Sequence, residues 1–489
     1  MSEHHGLASL FHSLSPDAQA TALVYGVVDP HVRTTWQVAQ ILRHADIRSG
    51  GRRLADARLR DAAQELVKHG LAYAPRRRDD GLRASPHWAP WLTMEAHRTG
   101  MLDRIVAGHD YVHPRLSYYD DEARTAMAMR CNTVAGRLAP AGADTAPPEA
   151  WGFLAEPGAA GLLRTLPESC RDRALSGCLM RVINAATPPE PIVDACRELA
   201  SDPSVFASEV AFIRILQGRL DEVDAVFDAL PSKMCGDKHV KVGRAGARAL
   251  AALLRGDDSE ARRHIESAVA EEKAGTRKRN VFPATAAFAL SLLSLVRDDS
   301  PSSRALLAPL LRTAAKRKAQ PLVMHYVARA AETRRGARIA AMTFPWPVFG
   351  TMLQGLECCW LGQFGQYAER PPCEALVGYM DRVRDNGFDW ALAECLAVAG
   401  QPDLRMEEGR SRPAAACRKE AAAIHARLGT RSLTSTLSPI PGPRPRAPEG
   451  WTTSDPSTWS SPPTHCSRSI PARSRPSTGT ARCSTRRRR

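Results

Sequence analysis

From Ser15 to Gly70, apolar residues recur at steps of three and four in three successive runs, the spacing of one helix face. In "SPDAQATALVYGVVD", Ser15 stands where a cap is needed and Pro16 at the first helical position. Ala18, Ala22, Leu23 and Val27 form the apolar face of that helix. "TTWQVAQILRHADI" predicts a second helix, capped by Thr34 or Thr35, with Trp36, Ala39, Ile41 and Leu42 as candidate core. "LADARLRDAAQELVKHG" predicts a third, capped near Asp56. It buries Leu59, Ala62, Ala63, Leu66 and Val67 and stops at Gly70, a residue suited to the left-handed turn that ends a helix. The pattern then changes. "LAYA" and "LRAS" predict two short strands around "PRRRDDG", with Asp80-Gly81 as the hairpin signal and Pro75 marking an edge strand or a loose loop. "PHWAPWL" is the expected exit, packing this head onto the helical region after it.

Beyond it, helix succeeds helix, with an internal repeat. "ILQGRLDEVDAVFDAL" from Ile215, "LLRGDDSEARRHIESAV" from Leu253 and "LVRDDSPSSRALLAPLL" from Leu295 share one plan. Each has an apolar pair, a polar turn and then an amphipathic helix. Each also comes after another helix: "SVFASEVAFIR", "RAGARALAA" and "ATAAFALSLL". The turns fall at Gly218, Gly256 and about Asp298, and a second pair falls at Gly362 and Gly400. A helix pair at this period cannot bury its apolar face alone, so neighbours stack into an α-solenoid. The look is tetratricopeptide-like, although the 34-residue consensus is not met. Such a stack presents a surface to a peptide or another domain, or serves as a helical spacer.

Four segments result: a head over 1–92, a helical connector over 93–149, the repeat region over 150–430 and a tail over 431–489. The connector carries His109, Tyr111, His113, Tyr118, Tyr119, Asp120 and Asp121. Pro114 separates the histidines from the acids, so a polar connection between helices is favoured over a metal site. The tail has no apolar period and is expected to be disordered. Two readings of it stand. One is a basic arm that binds nucleic acid without sequence preference. The favoured one is an out-of-frame product, since Arg, Pro, Ser, Thr and Cys without Lys is what a GC-rich gene gives in the wrong frame.

Charge sharpens the head. The chain carries a net +15, but the tail from Arg431 holds eleven Arg against one Asp and one Glu. Its +9 leaves +6 for everything before it. Three helices and then a hairpin is the order of a winged helix-turn-helix, with the third helix in the major groove and the hairpin as the wing. Between His31 and Trp88 twelve Arg or Lys face six Asp or Glu. Arg52, Arg53, Arg58, Arg60 and Lys68 lie on or beside the third helix. Arg76, Arg77, Arg78 and Arg83 lie on the hairpin. With Gln64 they make the candidate DNA-binding set: Arg58, Gln64 and Lys68 for the groove, Arg76, Arg77 and Arg78 for phosphates. Asp61, Glu65, Asp79 and Asp80 dilute this charge. Winged helices also dock proteins, so a protein-interaction scaffold is the competing reading.

Candidate chemistry does not appear. There is no GxxxxGK[ST], no GxGxxG after a strand, no HExxH and no GxSxG, so no enzyme activity, cofactor or metal is expected. The twelve Cys include no CxxC and read as reduced thiols of a cytoplasmic protein. Neither a signal peptide nor a membrane span is expected. The fold class is thus mostly α. From "RLADARLRDAAQELVKHGLAYAP" to "SPHWAPWL", together with the repeat turns, the chain resembles the N-terminal, non-motor part of large bacterial SNF2-type helicases. The resemblance covers roughly residues 1 to 430. It implies a DNA-associated role beside a motor, with a protein or helicase domain docking on the solenoid, and no ATPase in this chain. Transcription regulators that join tetratricopeptide-like repeats to a DNA-binding head are also similar, though their head commonly lies at the other end.

Overall fold

A computed structural model describes residues 2–31, 33–49, 51–73, 81–112, 121–138, 146–274, 380–400 and 414–432. Among these residues the fold is mostly helical, with one small three-stranded sheet. None of their helices is long and apolar enough to cross a membrane.

The first core is built from α1 (Ser2–Ser13), α2 (Pro16–Val28), α3 (Thr35–His44), α4 (Asp56–Lys68), α5 (Ala89–Arg98), α6 (Leu102–Val112) and α7 (Asp121–Val134). Local chemistry sets the starts. Ser15 caps α2 by accepting from the Ala18 N–H at 3.2 Å, with Pro16 at the first position. Thr34 and Gln37 form a capping box on α3: the Thr34 hydroxyl accepts from Gln37 N–H, and the Gln37 amide oxygen accepts from Thr34 N–H. The first residue of α4 is Asp56, but the cap position is Ala55, which gives no side-chain bond. Gly70 comes after α4 with φ +71°, as its residue type predicts.

Three short strands frame these helices: β1 (Arg33–Thr34), β2 (Ala72–Tyr73) and β3 (Gly81–Ala84). Their spatial order is β1–β3–β2, all antiparallel. Ala72 pairs with Ala84 and Tyr73 with Arg83, so the two expected strands do meet. The third strand, β1, pairs Arg33 with Leu82 and Thr34 with Gly81. It was not expected, because two residues leave no period to read.

Three expectations about burial fail. Trp36 is 60% exposed and Val67 45% exposed, although both were assigned to the core. The buried positions of α3 are Val38, Ala39, Ile41 and Leu42. Residue 36 lies 200° from residue 38 on a helix and so falls on the opposite face. His109, read as part of a polar connection, is fully buried beside the Arg33 guanidinium at 2.9 Å and the His31 ring at 5.1 Å. The first core also does not close at residue 92. Trp88 and Trp91 belong to it, with Trp91 edge-on to Phe11 at 5.3 Å, and so do Leu102, Ile105, Met127 and Cys131. The exit "PHWAPWL" therefore fills the head's own core, with His87 as its link to Glu156.

The second core gathers a 3-10 turn at Pro148–Ala155, then α8 (Glu168–Ala185), α9 (Glu190–Leu199), α10 (Ala207–Leu216), α11 (Val223–Asp228), α12 (Lys238–Arg255) and α13 (Asp258–Ala274). The same core takes in α14 (Asp389–Ala399) and α15 (Ala414–Leu428). Two of the expected repeat turns hold glycine in the left-handed region, Gly218 at φ +78° between α10 and α11, and Gly256 at φ +85° between α12 and α13, whereas Gly400, at the end of α14, does not. Turns at about Asp298 and at Gly362 lie outside the described residues.

Residues far along the chain return to these turns. The Leu428 side chain lies against Gly218, 2.6 Å from where a Cβ would stand, and the Arg431 guanidinium covers Gly256. Arg431 N–H donates to the Leu254 carbonyl at 2.8 Å. Arg382 Nε donates to the Ala185 carbonyl and Asn386 Nδ2 to the Ala186 carbonyl, both at 2.8 Å. So Arg431, the first residue assigned to the disordered tail, is part of the packed structure. The rest of that expectation, from residue 433 onward, lies outside the described residues.

Candidate nucleic-acid interface

Helix α4 is held against α2 by two polar links, and these decide which side chains it can offer. Glu65 accepts from Ser15 N–H at 2.9 Å and from the Ser15 hydroxyl at 2.6 Å. These bonds hold the Glu65 carboxyl below the usual carboxylate range. Arg58 donates Nε to Asp17 at 2.6 Å and Nη2 to the other oxygen at 2.5 Å, a bidentate fork. The fork holds Asp17 below its ordinary range. Glu65 thus does not dilute the exposed charge of α4; it ties the helix to the cap of α2.

The exposed side of α4 carries Arg60, Gln64 and Lys68, four residues apart and on one face. Asp56 and Asp61 are exposed on the same helix, so α4 alone offers no net charge there. The positive excess comes from the loop before it, where Arg52 and Arg53 are exposed. A two-residue bridge fixes that loop: Ser49 N–H donates to the Arg52 carbonyl at 2.9 Å, and Arg52 N–H donates back at 3.1 Å.

Of the ten residues expected to meet DNA, Arg52, Arg53, Arg60, Gln64 and Lys68 are exposed at and before α4. Arg58 is half-buried and engaged by Asp17. Arg83 on β3 donates Nε to Asp29 at 2.7 Å, and the other Asp29 oxygen accepts from Arg130 Nη1 at 3.3 Å. Arg83 is thus part of an internal ion cluster at the end of α2. Arg76, Arg77 and Arg78 lie outside the described residues.

Sequence reasoning missed one surface feature. Trp36, Gln40 and Arg43 succeed one another at i, i+4 and i+7 on α3, with Arg43 Nη1 donating to the Gln40 amide oxygen at 3.1 Å. The signal was available: Gln and Arg at those spacings mark the solvent side, and Trp36 shares it.

Among the described residues no three metal-capable side chains converge. Six of the seven described thiols are buried, and none forms a disulfide. Burial pushes the Cys131 thiol up to about 11 and the Cys196 thiol to about 12, so neither is a ready nucleophile. No known family model, curated protein or solved structure matches the chain.

Proposed function

We propose that the head is a winged helix-turn-helix that binds duplex DNA through α4, and that the helix pairs behind it form a tetratricopeptide-like stack that docks a protein. The observation that carries the first part is the order α2–β1–α3–α4–β2–β3 with a β1–β3–β2 sheet. In that arrangement α4 is the groove-reading helix. Arg60, Gln64 and Lys68 would face the bases, and Arg52 and Arg53 the phosphates at the start of α4. Arg58 would act through Asp17, by holding α4 in place. The test is duplex binding against salt, on the whole chain and on an Arg52, Arg60 and Lys68 triple alanine variant. Loss of Arg52, the phosphate contact among the three, should lower the salt slope by roughly one, and loss of Arg60 and Lys68 should weaken binding further.

The stack reading rests on helix pairs whose turns recur 38 residues apart with a left-handed glycine, at 218 and 256. In an open solenoid each repeat touches its neighbours only. Here residues within 380–400 and 414–432 pack on α8, α10 and α12, so contacts in this stack are not confined to neighbouring pairs. Its partner is a protein, and a helicase motor is the partner that the resemblance to SNF2-type proteins suggests. A second reading has its own support. The exposed side of α4 carries no net charge and Trp36 on α3 is exposed, features of a surface that docks protein. Unchanged DNA affinity in the triple variant would select that reading.

A further inference from the structure

Where the first core meets the second, a cleft of about 220 Å³ opens between β3, α5, α7 and the 148–155 turn. Its charged lining is Asp29, Arg83, Arg130, Glu156 and Arg181. The two carboxylates are nearly fully buried and already satisfied. Asp29 is shared by Arg83 and Arg130. Glu156 Oε1 accepts from Arg181 Nε at 2.6 Å, and Oε2 meets His87 Nδ1 at 2.8 Å. Arg130 is committed as well, to the Thr93 hydroxyl and the carbonyls of Gly26, Val27 and Asp29.

Arg83 and Arg181 differ from it. Each is clamped along one edge by a buried carboxylate, while 28% and 33% of their side chains remain open. A guanidinium has five N–H donors, and the clamps use only some of them. Three guanidinium groups against two carboxylates leave the lining one positive charge in excess. The first turn of α5, at Ala89 and Pro90, adds the positive end of a helix dipole. Orientation is fixed in advance, so a ligand would not have to order these side chains. The volume is below the roughly 300–1,000 Å³ of sites for drug-sized ligands, which limits the occupant to a small anion.

We propose that this cleft binds a small phosphate-class oxyanion between Arg83 and Arg181, either free phosphate or a small phosphate monoester. The proposal does not depend on the DNA reading, because neither α4 nor the loop before it lines the cleft.

The test is calorimetric titration of the whole chain with inorganic phosphate and, separately, with glycerol phosphate, at constant ionic strength set by chloride. Tighter binding of the ester would identify a monoester site, and tighter binding of phosphate a free-anion site. Arg83→Lys and Arg181→Lys keep the ion pairs with Asp29 and Glu156 but remove the forked donors. Each should weaken binding by about tenfold, and the double variant should abolish it. Arg164→Lys, at an exposed pair with Glu198, should leave it unchanged. No saturable binding by the native chain up to about 10 mM of either probe would overturn the proposal whatever the variants do. So would binding that the double variant retains, which would place the anion elsewhere, for example on the arginine-rich tail.

Discussion

Asp29 ties the end of α2 to β3 and to α7, and replacing it tests the packing of the head. Its two oxygens hold Arg83 at 2.7 Å and Arg130 at 3.3 Å, and Arg130 is 3% exposed. Removing one partner of a buried ion pair costs about 3–5 kcal/mol, because the remaining charge is left uncompensated. Arg130 keeps the Thr93 hydroxyl and three carbonyl oxygens, so Asp29→Asn should fall at the low end, about 3 kcal/mol. Arg83 is far more open, and Arg83→Ala leaves Asp29 paired with Arg130. That change should cost about 1 kcal/mol. The two share one carboxylate, so the double variant should cost less than the sum. The assay is urea unfolding monitored by tryptophan fluorescence, since Trp88 and Trp91 lie in this core. The midpoint should move with the slope unchanged. A cost under about 1 kcal/mol for Asp29→Asn, or an Arg83→Ala cost equal to it, would contradict this role for Asp29.

The same geometry leads to other outcomes. Trp36→Ala should change stability by no more than about 0.5 kcal/mol in thermal unfolding, whereas a core tryptophan would cost about 3–5 kcal/mol. Gly256→Ala should destabilise more than Gly70→Ala. Both need a left-handed residue, worth about 1–2 kcal/mol, but only Gly256 has a side chain, that of Arg431, packed where the methyl would go. The Arg214 guanidinium, and after it Gln217, holds the Glu190 carboxyl at about 2, below its usual 4.5. A depressed carboxyl lends stability above about pH 4.5 and loses it as pH falls towards 2. Because Glu190 is 46% exposed, screening reduces its share to about 1–2 kcal/mol. Glu190→Gln should therefore flatten the acid limb of the stability profile, and an unchanged limb would contradict the pairing.

Local signals in the sequence were readable, and long-range ones were not. The Ser15 cap, the helix over 56–68, the strands at 72–73 and 81–84 and the turn glycines at 218 and 256 all depend on residues within a few positions of each other. Arg83 illustrates the limit. A hairpin arginine in a basic run reads as a phosphate contact, yet its partner is Asp29, 54 residues earlier. Asp17 and Arg58 are 41 apart, and Arg382 meets Ala185 across 197 residues. Periodicity carries no information about such pairs. Trp36 shows a different limit: its residue type points to the core, while its phase, opposite Val38, puts it on the solvent side. The extent of the first core, out to Cys131, was hidden because α5 to α7 look like any other helices until their apolar faces are seen to meet α2 and α3.

In the proposed function α4 and the loop before it hold DNA. The most direct measurement is the affinity of the whole chain for duplex DNA from about 50 to 200 mM salt, beside the Arg52, Arg60 and Lys68 triple alanine variant. Both proteins carry the same arginine-rich tail, so the comparison isolates α4 and the loop before it. The variant should bind more weakly, with a slope of log affinity on log salt that is smaller by roughly one, the share of Arg52. The same affinity and slope in both proteins would contradict it and leave α4 as a surface for another protein.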